Sequence, residues 1–363
     1  MNLPHPRISQ TLLAVALLAM TPLALNAVEQ LPDPDGKPAD MSKPVQVYIL
    51  LGQSNMVGAG KIGPAAKVGT LGHAVKEQGK YPYLIDDAGE WTVRQDVRNV
   101  RVMGSGTGAM RQFNNEWMTV SGRSIGPELG IGHQLGHAID APVMVLKSCI
   151  GNRSLGWDLL PPGSPSFEFD EADKKTGEVK TWHYAGYKES PLRWEKGTKP
   201  EPITWYAGMQ YDGDIANAKT VLGELDKYYP DAKGYEVAGF FFWQGDKDRY
   251  NAGHASRYEL NLVHFIEQLR KDFDAPQAKF VCATLGQTEK GAEGNEGMIL
   301  DAQMAVDGKA GKYPQFRGNV ATVYSHPLSQ GGASNSHYGG NAETYMNVGE
   351  GMGRAMVELL QAN

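Results

Sequence analysis

The sequence predicts a doubly wound α/β fold, with a parallel sheet covered by helices on both faces. Short apolar, β-branched runs of strand length recur along the chain, at Val45–Leu51, Val143–Ser148 and Val237–Phe242. Longer segments with helical spacing of apolar residues follow them, most clearly His254–Phe273 and Asn341–Gln361. Continuous apolar strands that alternate with amphipathic helices are typical of a buried parallel sheet in a three-layer α/β/α arrangement. Functional side chains are then expected at the carboxyl ends of the strands.

The amino terminus has the pattern of a secretory signal peptide. Arg7 is followed by the apolar run Thr11–Leu25, which is interrupted by Pro22 and is too short to span a bilayer. Cleavage after Ala27 is expected, so residues 1–27 form the signal peptide and the protein is secreted or periplasmic. Residues 28–43, rich in Pro and Asp, read as a linker, and residues 44–363 as one large domain.

Composition excludes several classes of partner. The formal net charge is −6 and the sequence contains no basic run, so neither nucleic acid nor an anionic membrane is an expected partner. The two cysteines, Cys149 and Cys282, end different predicted strands, which favours two buried free thiols over a disulfide. The sequence leaves the oligomeric state open.

The stretch Val45–Gly58, VQVYILLGQSNMVG, predicts a buried strand that runs into a tight turn. Gly52 permits the turn, and Ser54 and Asn55 can cap the helix that should follow. Backbone N–H groups at a helix start have no intrahelical partner and stabilise negative charge. Ser54 is therefore a candidate nucleophile, and the alternative is that it only caps the helix.

Residues 61–119 are interpreted as an insertion. Its most strand-like part, Glu90–Val102, suggests a hairpin or edge ribbon outside the core βαβ units. The segment Gly126–Ile139 predicts a helix that carries His133 and His137 at i, i+4 spacing. Gln134 stands where a metalloprotease needs Glu, and no third ligand is evident, so neither a metal nor another cofactor is expected.

A second insertion, at residues 155–210, is rich in aromatic residues. It carries four of the seven tryptophans, at Trp157, Trp182, Trp194 and Trp205. Such rings suit the apolar faces of sugars, or they form a small satellite core, and the two interpretations are compatible. The remaining elements alternate regularly: helices at Asp212–Tyr229, His254–Phe273, Gly294–Val306 and Asn341–Gln361, and strands at Val237–Phe242, Lys279–Thr284 and Val320–Ser325.

Two motifs resemble a known family. GQSNM, from Gly52 to Met56, and HYGGNAETY, from His337 to Tyr345, resemble the signature blocks of SGNH hydrolases. They are most similar to the branch that contains sialate O-acetylesterases and the acetyl xylan esterases of carbohydrate esterase family 6. The resemblance implies a flavodoxin-like fold and an exported serine esterase that removes O-acetyl groups from a polysaccharide or sialoglycan through an acyl-enzyme on Ser54.

The same resemblance suggests the partners of the nucleophile. His337, just before the last helix, is the expected base, and His326 after the fifth strand is its competitor. Many SGNH enzymes keep an aspartate three residues before the histidine, but Ser334 occupies that position here. In the family 6 branch an acid directly after the Gln-Gly of the third block can replace it, which points to Asp246, with Asp248 as the alternative.

The expected oxyanion donors are the backbone N–H groups of Ser54 and Gly151 and the side-chain amide of Gln244. Further residues beside these blocks are candidates for contacts with the acetylated carbohydrate: Gln53, Asn152, Arg153 and Trp157. The missing acid at position 334 keeps open a catalytically inactive glycan-binding protein of the same fold. A lipid esterase is a further alternative, although the polar, tryptophan-rich insertion does not suit an aliphatic groove.

Overall fold

The computed structural model describes residue 1, residue 31, and residues 38–173 and 175–362. The chain divides into two units, Met1–Gln30 and Leu31–Asn363, and the second unit contains every element discussed below. Apart from residue 1, the predicted signal peptide lies outside the described residues, and the predicted linker is described only in part. Within the portion of the chain that is described, no helix has the length and apolar character needed to cross a membrane.

The described chain contains twelve strands and six α-helices. The strands are β1 (Val45–Gly52), β2 (Gly60–Lys61), β3 (Val97–Met103), β4 (Arg111–Trp117), β5 (Ser124–Ile125), β6 (Val143–Ser148), β7 (Phe167–Ala172), β8 (Val179–Tyr184), β9 (Arg193–Glu195), β10 (Tyr235–Trp243), β11 (Lys279–Ala283) and β12 (Val320–Val323). The helices are α1 (Ser54–Val57), α2 (Glu128–Ala138), α3 (Met209–Gly223), α4 (Ala252–Asp272), α5 (Gly294–Ala305) and α6 (Ala342–Gln361).

Seven strands form the central sheet in the order β12-β11-β10-β1-β6-β3-β4. All neighbouring pairs are parallel except β3 and β4. Alternate residues of β1 face opposite cores: Val47, Ile49 and Leu51 pack with α3, α4 and α5, whereas Tyr48 and Leu50 pack with α2 and α6. This period of two, with both faces buried, explains the continuous apolar run of β1. The predicted three-layer, mostly parallel α/β fold is confirmed.

The prediction for residues 61–119 needs one correction. The sequence pattern predicts that its strand-like part lies outside the core units, but β3 joins the central sheet in parallel with β6. Of the two strands of the central sheet in this insertion, β4 is the one at the edge. The sequence pattern does not indicate an inner strand here, because β3 contains the charged and polar side chains of Arg98, Asn99 and Arg101. The Arg98 guanidinium lies 4.6 Å from the ring centroid of Trp117 and 5.4 Å from that of Tyr229, so the aromatic faces cover its charge.

The aromatic insertion at residues 155–210 contains a three-stranded antiparallel sheet, β7-β8-β9. A satellite core forms beside it from Trp157, Leu160, Ala185 and Ala207, against which Trp194 and Trp205 pack. Cys149 and Cys282 are both buried and free, as predicted. Their strands, β6 and β11, lie on opposite sides of β1.

Candidate active site

Ser54 is the first residue of α1, directly beyond the carboxyl end of the central strand β1. The turn that presents it requires a glycine. Gly52 has φ of +143°, and a Cβ atom there would lie 2.5 Å from the carbonyl oxygen of Trp243. The ends of β1 and β10 therefore pack backbone to backbone, which leaves Ser54 half-buried beside the first N–H groups of α1.

Gly151, in the loop after β6, lies against Ser54. A Cβ atom at Gly151 would be 3.5 Å from the Cβ atom of Ser54. Because β6 pairs with β1, the loops after the two strands meet at the same edge of the sheet. The geometry thus brings together two of the three predicted oxyanion donors.

His337 lies in the loop Ser334–Gly340, which packs against α1. His337 and Tyr338 both adopt the left-handed conformation, with φ of +53°. Such strain costs about 1–3 kcal/mol per residue and persists only where the surroundings enforce it. Here Tyr338 is buried, its ring stacks on Trp243 at 5.8 Å, and its hydroxyl accepts a hydrogen bond of 3.1 Å from the Gly286 N–H.

The His337 ring makes no hydrogen bond within the described residues, whereas both ring nitrogens of its competitor have partners. His326 Nδ1 lies 2.8 Å from the carbonyl oxygen of Gly286, and its Nε2 lies 3.3 Å from Glu289. The contacts of His326 are thus with Gly286 and Glu289, and neither of them involves the turn that carries Ser54. Hydrogen bonds between catalytic groups often tighten only in the complex with substrate.

Asp246 is hydrogen-bonded to the histidine loop. The Ser334 hydroxyl donates to Asp246 Oδ1 at 2.6 Å, and Arg249 Nε donates to the same oxygen at 2.9 Å. Ser334 is fully buried, three residues before His337. In the sequence, Ser334 merely occupies the position at which related enzymes have an aspartate. In the structure, its hydroxyl links the histidine loop to Asp246, which follows β10.

Asp248, the alternative acid, has different partners. It is fully buried, and its carboxylate accepts hydrogen bonds of 2.9 Å from the backbone N–H groups of Leu155 and Gly156 and one of 2.5 Å from Gln244 Nε2. Burial raises the pKa of Asp248 to about 6. These contacts join the end of β10 to the loop after β6, and they indicate a structural role for Asp248, not that of triad acid.

The predicted donor role of Gln244 is not supported by its contacts. The buried amide nitrogen lies 2.9 Å from the Arg153 carbonyl oxygen, 2.5 Å from Asp248 Oδ2 and 3.1 Å from Gln53 Oε1. An amide has only two N–H groups, so both are used inside the protein. Its oxygen accepts from the Tyr258 hydroxyl at 2.8 Å.

Two of the four predicted substrate contacts are buried. Gln53 is 1% exposed and accepts hydrogen bonds from Gln244 and the Lys247 N–H, and Trp157 is 7% exposed within the satellite core. The prediction that Gln53 and Trp157 contact the substrate is therefore wrong, because both side chains are buried. Asn152 is exposed and Arg153 half-buried. The Arg153 guanidinium lies 4.8 Å from the Trp205 ring centroid, which ties this loop to the insertion.

The helical histidine pair offers no metal site in this geometry. His133 is fully buried, and its Nδ1 atom lies 3.2 Å from the Arg94 guanidinium. Burial first, and then Arg94, lower the pKa of His133 well below its usual value. Within the described residues, no group of three or more His, Cys, Asp or Glu side chains is arranged to hold a metal ion.

Comparisons with known proteins bear on this site. Residues 190–358 match the model of a family described as carbohydrate esterase, sialic acid-specific acetylesterase. The matched segment includes Asp246 and His337 but neither Ser54 nor Gly151. No curated protein sequence matches the chain.

Several solved structures are similar at low sequence identity. A protein from Arabidopsis thaliana is 16% identical, over 86% of this chain and 98% of its own, with a TM-score of 0.47. A carbohydrate acetylesterase from Xanthomonas citri is 13% identical, over 85% of this chain and 55% of its own, with a TM-score of 0.48. At TM-scores below 0.5 these likenesses carry no argument about function. The family match confirms the resemblance to the sialate O-acetylesterase branch, and it supports carboxylic ester hydrolase activity.

Proposed function

We propose that the protein is an exported serine esterase that removes O-acetyl groups from a carbohydrate through an acyl-enzyme on Ser54. The observation that carries this proposal is the 2.6 Å hydrogen bond from Ser334 to Asp246. Through this hydrogen bond the carboxylate of Asp246 contacts the histidine loop, in which Ser334 occupies the position of the usual aspartate. The match of residues 190–358 to a family of carbohydrate esterases supports an acetylated carbohydrate as the class of substrate. The signal-peptide pattern of residues 1–27 supports export.

In the first half-reaction, His337 accepts the Ser54 proton while the Ser54 oxygen attacks the ester carbonyl. The tetrahedral oxyanion is stabilised by the backbone N–H groups of Ser54 and Gly151, which need no reorganisation because the turn already holds them. Asp246 and Ser334 orient the loop that carries His337. His337 then protonates the departing sugar oxygen, and the acetyl group remains on Ser54.

In the second half-reaction, water replaces the sugar hydroxyl. His337 takes a proton from the water, whose oxygen attacks the acetyl carbonyl, and the same two N–H groups stabilise the second oxyanion. Collapse of this intermediate returns the proton from His337 to the Ser54 oxygen and releases acetic acid, which ionises to acetate in water. The cycle needs no group other than the protein and water.

The test is turnover of p-nitrophenyl acetate, butyrate and a long-chain ester, together with acetate release from acetylated xylan and from O-acetylated sialic acid. We expect acetate to be preferred over longer acyl groups and at least one acetylated sugar to be a substrate. The matched control is Ser54→Ala. A preference for long acyl chains would favour a lipid esterase, and a wild type no faster than Ser54→Ala would favour a glycan-binding protein.

A further inference from the structure

Lys147 is a charged residue inside the central sheet. It belongs to β6 and lies opposite Leu50 of β1 in the sheet register. Two residues earlier, Val145 packs into the core beside α2 and α6, so Lys147 projects from the same face. The residue is 1% exposed. An ammonium group is costly to bury unless it is paired and hydrogen-bonded, so its contacts indicate its role.

The ammonium group has two partners among the described residues. It forms an ion pair with Glu128 at the start of α2, and it donates a hydrogen bond of 3.0 Å to the carbonyl oxygen of Val57. Val57 is the last residue of α1, the helix that begins at Ser54. Carbonyl groups at a helix end have no intrahelical partner, and a cation beside them is favourable. Lys147 therefore holds the far end of the helix that carries the proposed nucleophile.

The same contact joins α1 to the strand that leads to Gly151. Gly151 follows Lys147 by four residues, in the loop after β6, and a Cβ atom there would lie 3.5 Å from the Cβ atom of Ser54. Lys147 is thus connected to one proposed oxyanion donor through the backbone and to the helix of the other through its side chain. Because an oxyanion must reach both N–H groups, the spacing of α1 and β6 determines how well it is held.

Glu128 keeps the ammonium group in place. Its other carboxylate oxygen accepts a hydrogen bond of 3.1 Å from the Gly126 N–H. The backbone of Gly126 packs on that of Gly58, directly after α1, where a Cβ atom would lie 2.6 Å from the Gly126 nitrogen. The end of α1 is therefore fixed both by the ion pair of Lys147 and by a close backbone contact.

We propose that Lys147 is a positioning residue of the esterase, which sets the spacing of the Ser54 and Gly151 N–H groups and thereby the binding of the tetrahedral oxyanion. The inference rests on the proposed function, because it concerns the same site. Lys147 acts through Val57 and does not contact the reacting atoms. Its loss is expected to affect the transition state more than the bound ester, since only the oxyanion needs both donors in full.

The test compares the wild type with Lys147→Met/Glu128→Gln, which removes both charges and leaves neither one buried alone. We would measure kcat and KM for p-nitrophenyl acetate, per active site as counted by complete labelling with a fluorophosphonate. We would also measure the Ki of phenylboronic acid, whose boron bonds to the Ser54 oxygen as His337 takes the proton, giving a tetrahedral anion.

We expect kcat to fall about tenfold and Ki to rise about tenfold, because a misplaced donor stabilises the tetrahedral anion less well. KM should change less than twofold, since both half-reactions use the same oxyanion donors. The matched control is Arg94→Met/Asp96→Asn, which removes a buried ion pair near the amino end of β6, where the Asp96 carbonyl oxygen accepts from the Val143 N–H. It should lower the melting temperature and leave kcat, KM and Ki per active site unchanged.

Gly126→Ala provides a second variant if the double variant does not fold. A Cβ atom at Gly126 would lie 2.9 Å from Lys147 Nζ, so the methyl group displaces the ammonium group without removing a charge. We expect kcat to fall and Ki to rise at least threefold. Unchanged kcat and Ki in both variants, or equal changes in the Arg94 control, would overturn the proposal while the esterase stands. A wild type that neither hydrolyses the ester nor binds phenylboronic acid would overturn the proposed function and this inference with it.

Discussion

The hydroxyl of Ser334 lies 2.6 Å from Oδ1 of Asp246 and donates a hydrogen bond to it. The contact connects two segments 88 residues apart in the chain. One carries the proposed base, and the other follows the central strand β10. The usual acid of the histidine loop is thus replaced by a serine that binds an acid from a neighbouring loop, and this relationship can be tested by mutation.

Ser334→Ala should lower kcat for p-nitrophenyl acetate about tenfold, because a hydrogen bond to a charged group contributes about 1.5–3 kcal/mol. Asp246→Ala should cost more, about a hundredfold, since it removes the acid itself. Ser336→Ala is the control: its exposed hydroxyl in the same loop bonds only to the Ala333 carbonyl oxygen. Full activity of Ser334→Ala would show that the contact does not orient His337.

We expect Asp248 to make the free energy of unfolding depend on pH. Its pKa is about 6 in the folded protein, raised by burial from an ordinary value of 3.8. Between these two values the folded state binds more protons than the unfolded state, so the free energy of unfolding falls as pH rises through this window. The contribution of Asp248 to this fall is about 3 kcal/mol.

Asp248→Asn removes that titration. Urea unfolding at pH 4 and at pH 6.5 should therefore show that the stability of the wild type, relative to the variant, decreases over this interval. A difference between wild type and variant that does not change with pH would contradict the assignment. The neighbours that bear on this titration are Gln244, Asp158 and the buried His254, whose Nδ1 lies 3.8 Å from Asp248.

Gly151→Ala should separate activity from stability. The new methyl group would meet the Cβ atom of Ser54 at 3.5 Å, an ordinary contact, so the protein should fold with a melting temperature close to that of the wild type. It would nevertheless occupy the space beside the nucleophile. We expect kcat/KM to fall at least tenfold, in line with the cost of disturbing one oxyanion donor.

Gly223→Ala is the matched control for this substitution, because a Cβ atom at Gly223 meets nothing within 4 Å. It should leave both kcat/KM and the melting temperature at or above the wild-type values. Equal effects of the two substitutions on activity would argue that Gly151 has no special position next to Ser54.

The sequence was most informative where the packing follows a simple period. The continuous apolar run of β1 and the helical spacing of α4 and α6 predicted those elements closely. The sequence pattern did not predict that β3 is an inner strand, because Arg98, Asn99 and Arg101 interrupt the apolar residues expected there. The Arg98 guanidinium packs on the rings of Trp117 and Tyr229, and the Arg101 guanidinium lies 5.2 Å from the centroid of the Phe113 ring. Such tertiary contacts are contained in no local pattern.

The site shows the same division. Strand ends in a parallel sheet must converge, so Ser54, Gly151 and Asp246 could be expected near one another. Which side chains point outward could not be read from the sequence. Gln53 and Gln244 are turned inward to bind each other, and Trp157 packs into the satellite core. The link through Ser334 also escaped prediction, because its partner comes from another strand.

The most direct test of the central claim is the intact mass of the protein after brief mixing with p-nitrophenyl acetate, followed by acid quenching and peptide mapping. We expect one acetyl group on Ser54, no such adduct in Ser54→Ala, and neither adduct nor turnover above background in His337→Ala, while His326→Gln behaves as the wild type. Turnover by the wild type with no acetyl group on Ser54, or unchanged turnover by Ser54→Ala, would contradict the account.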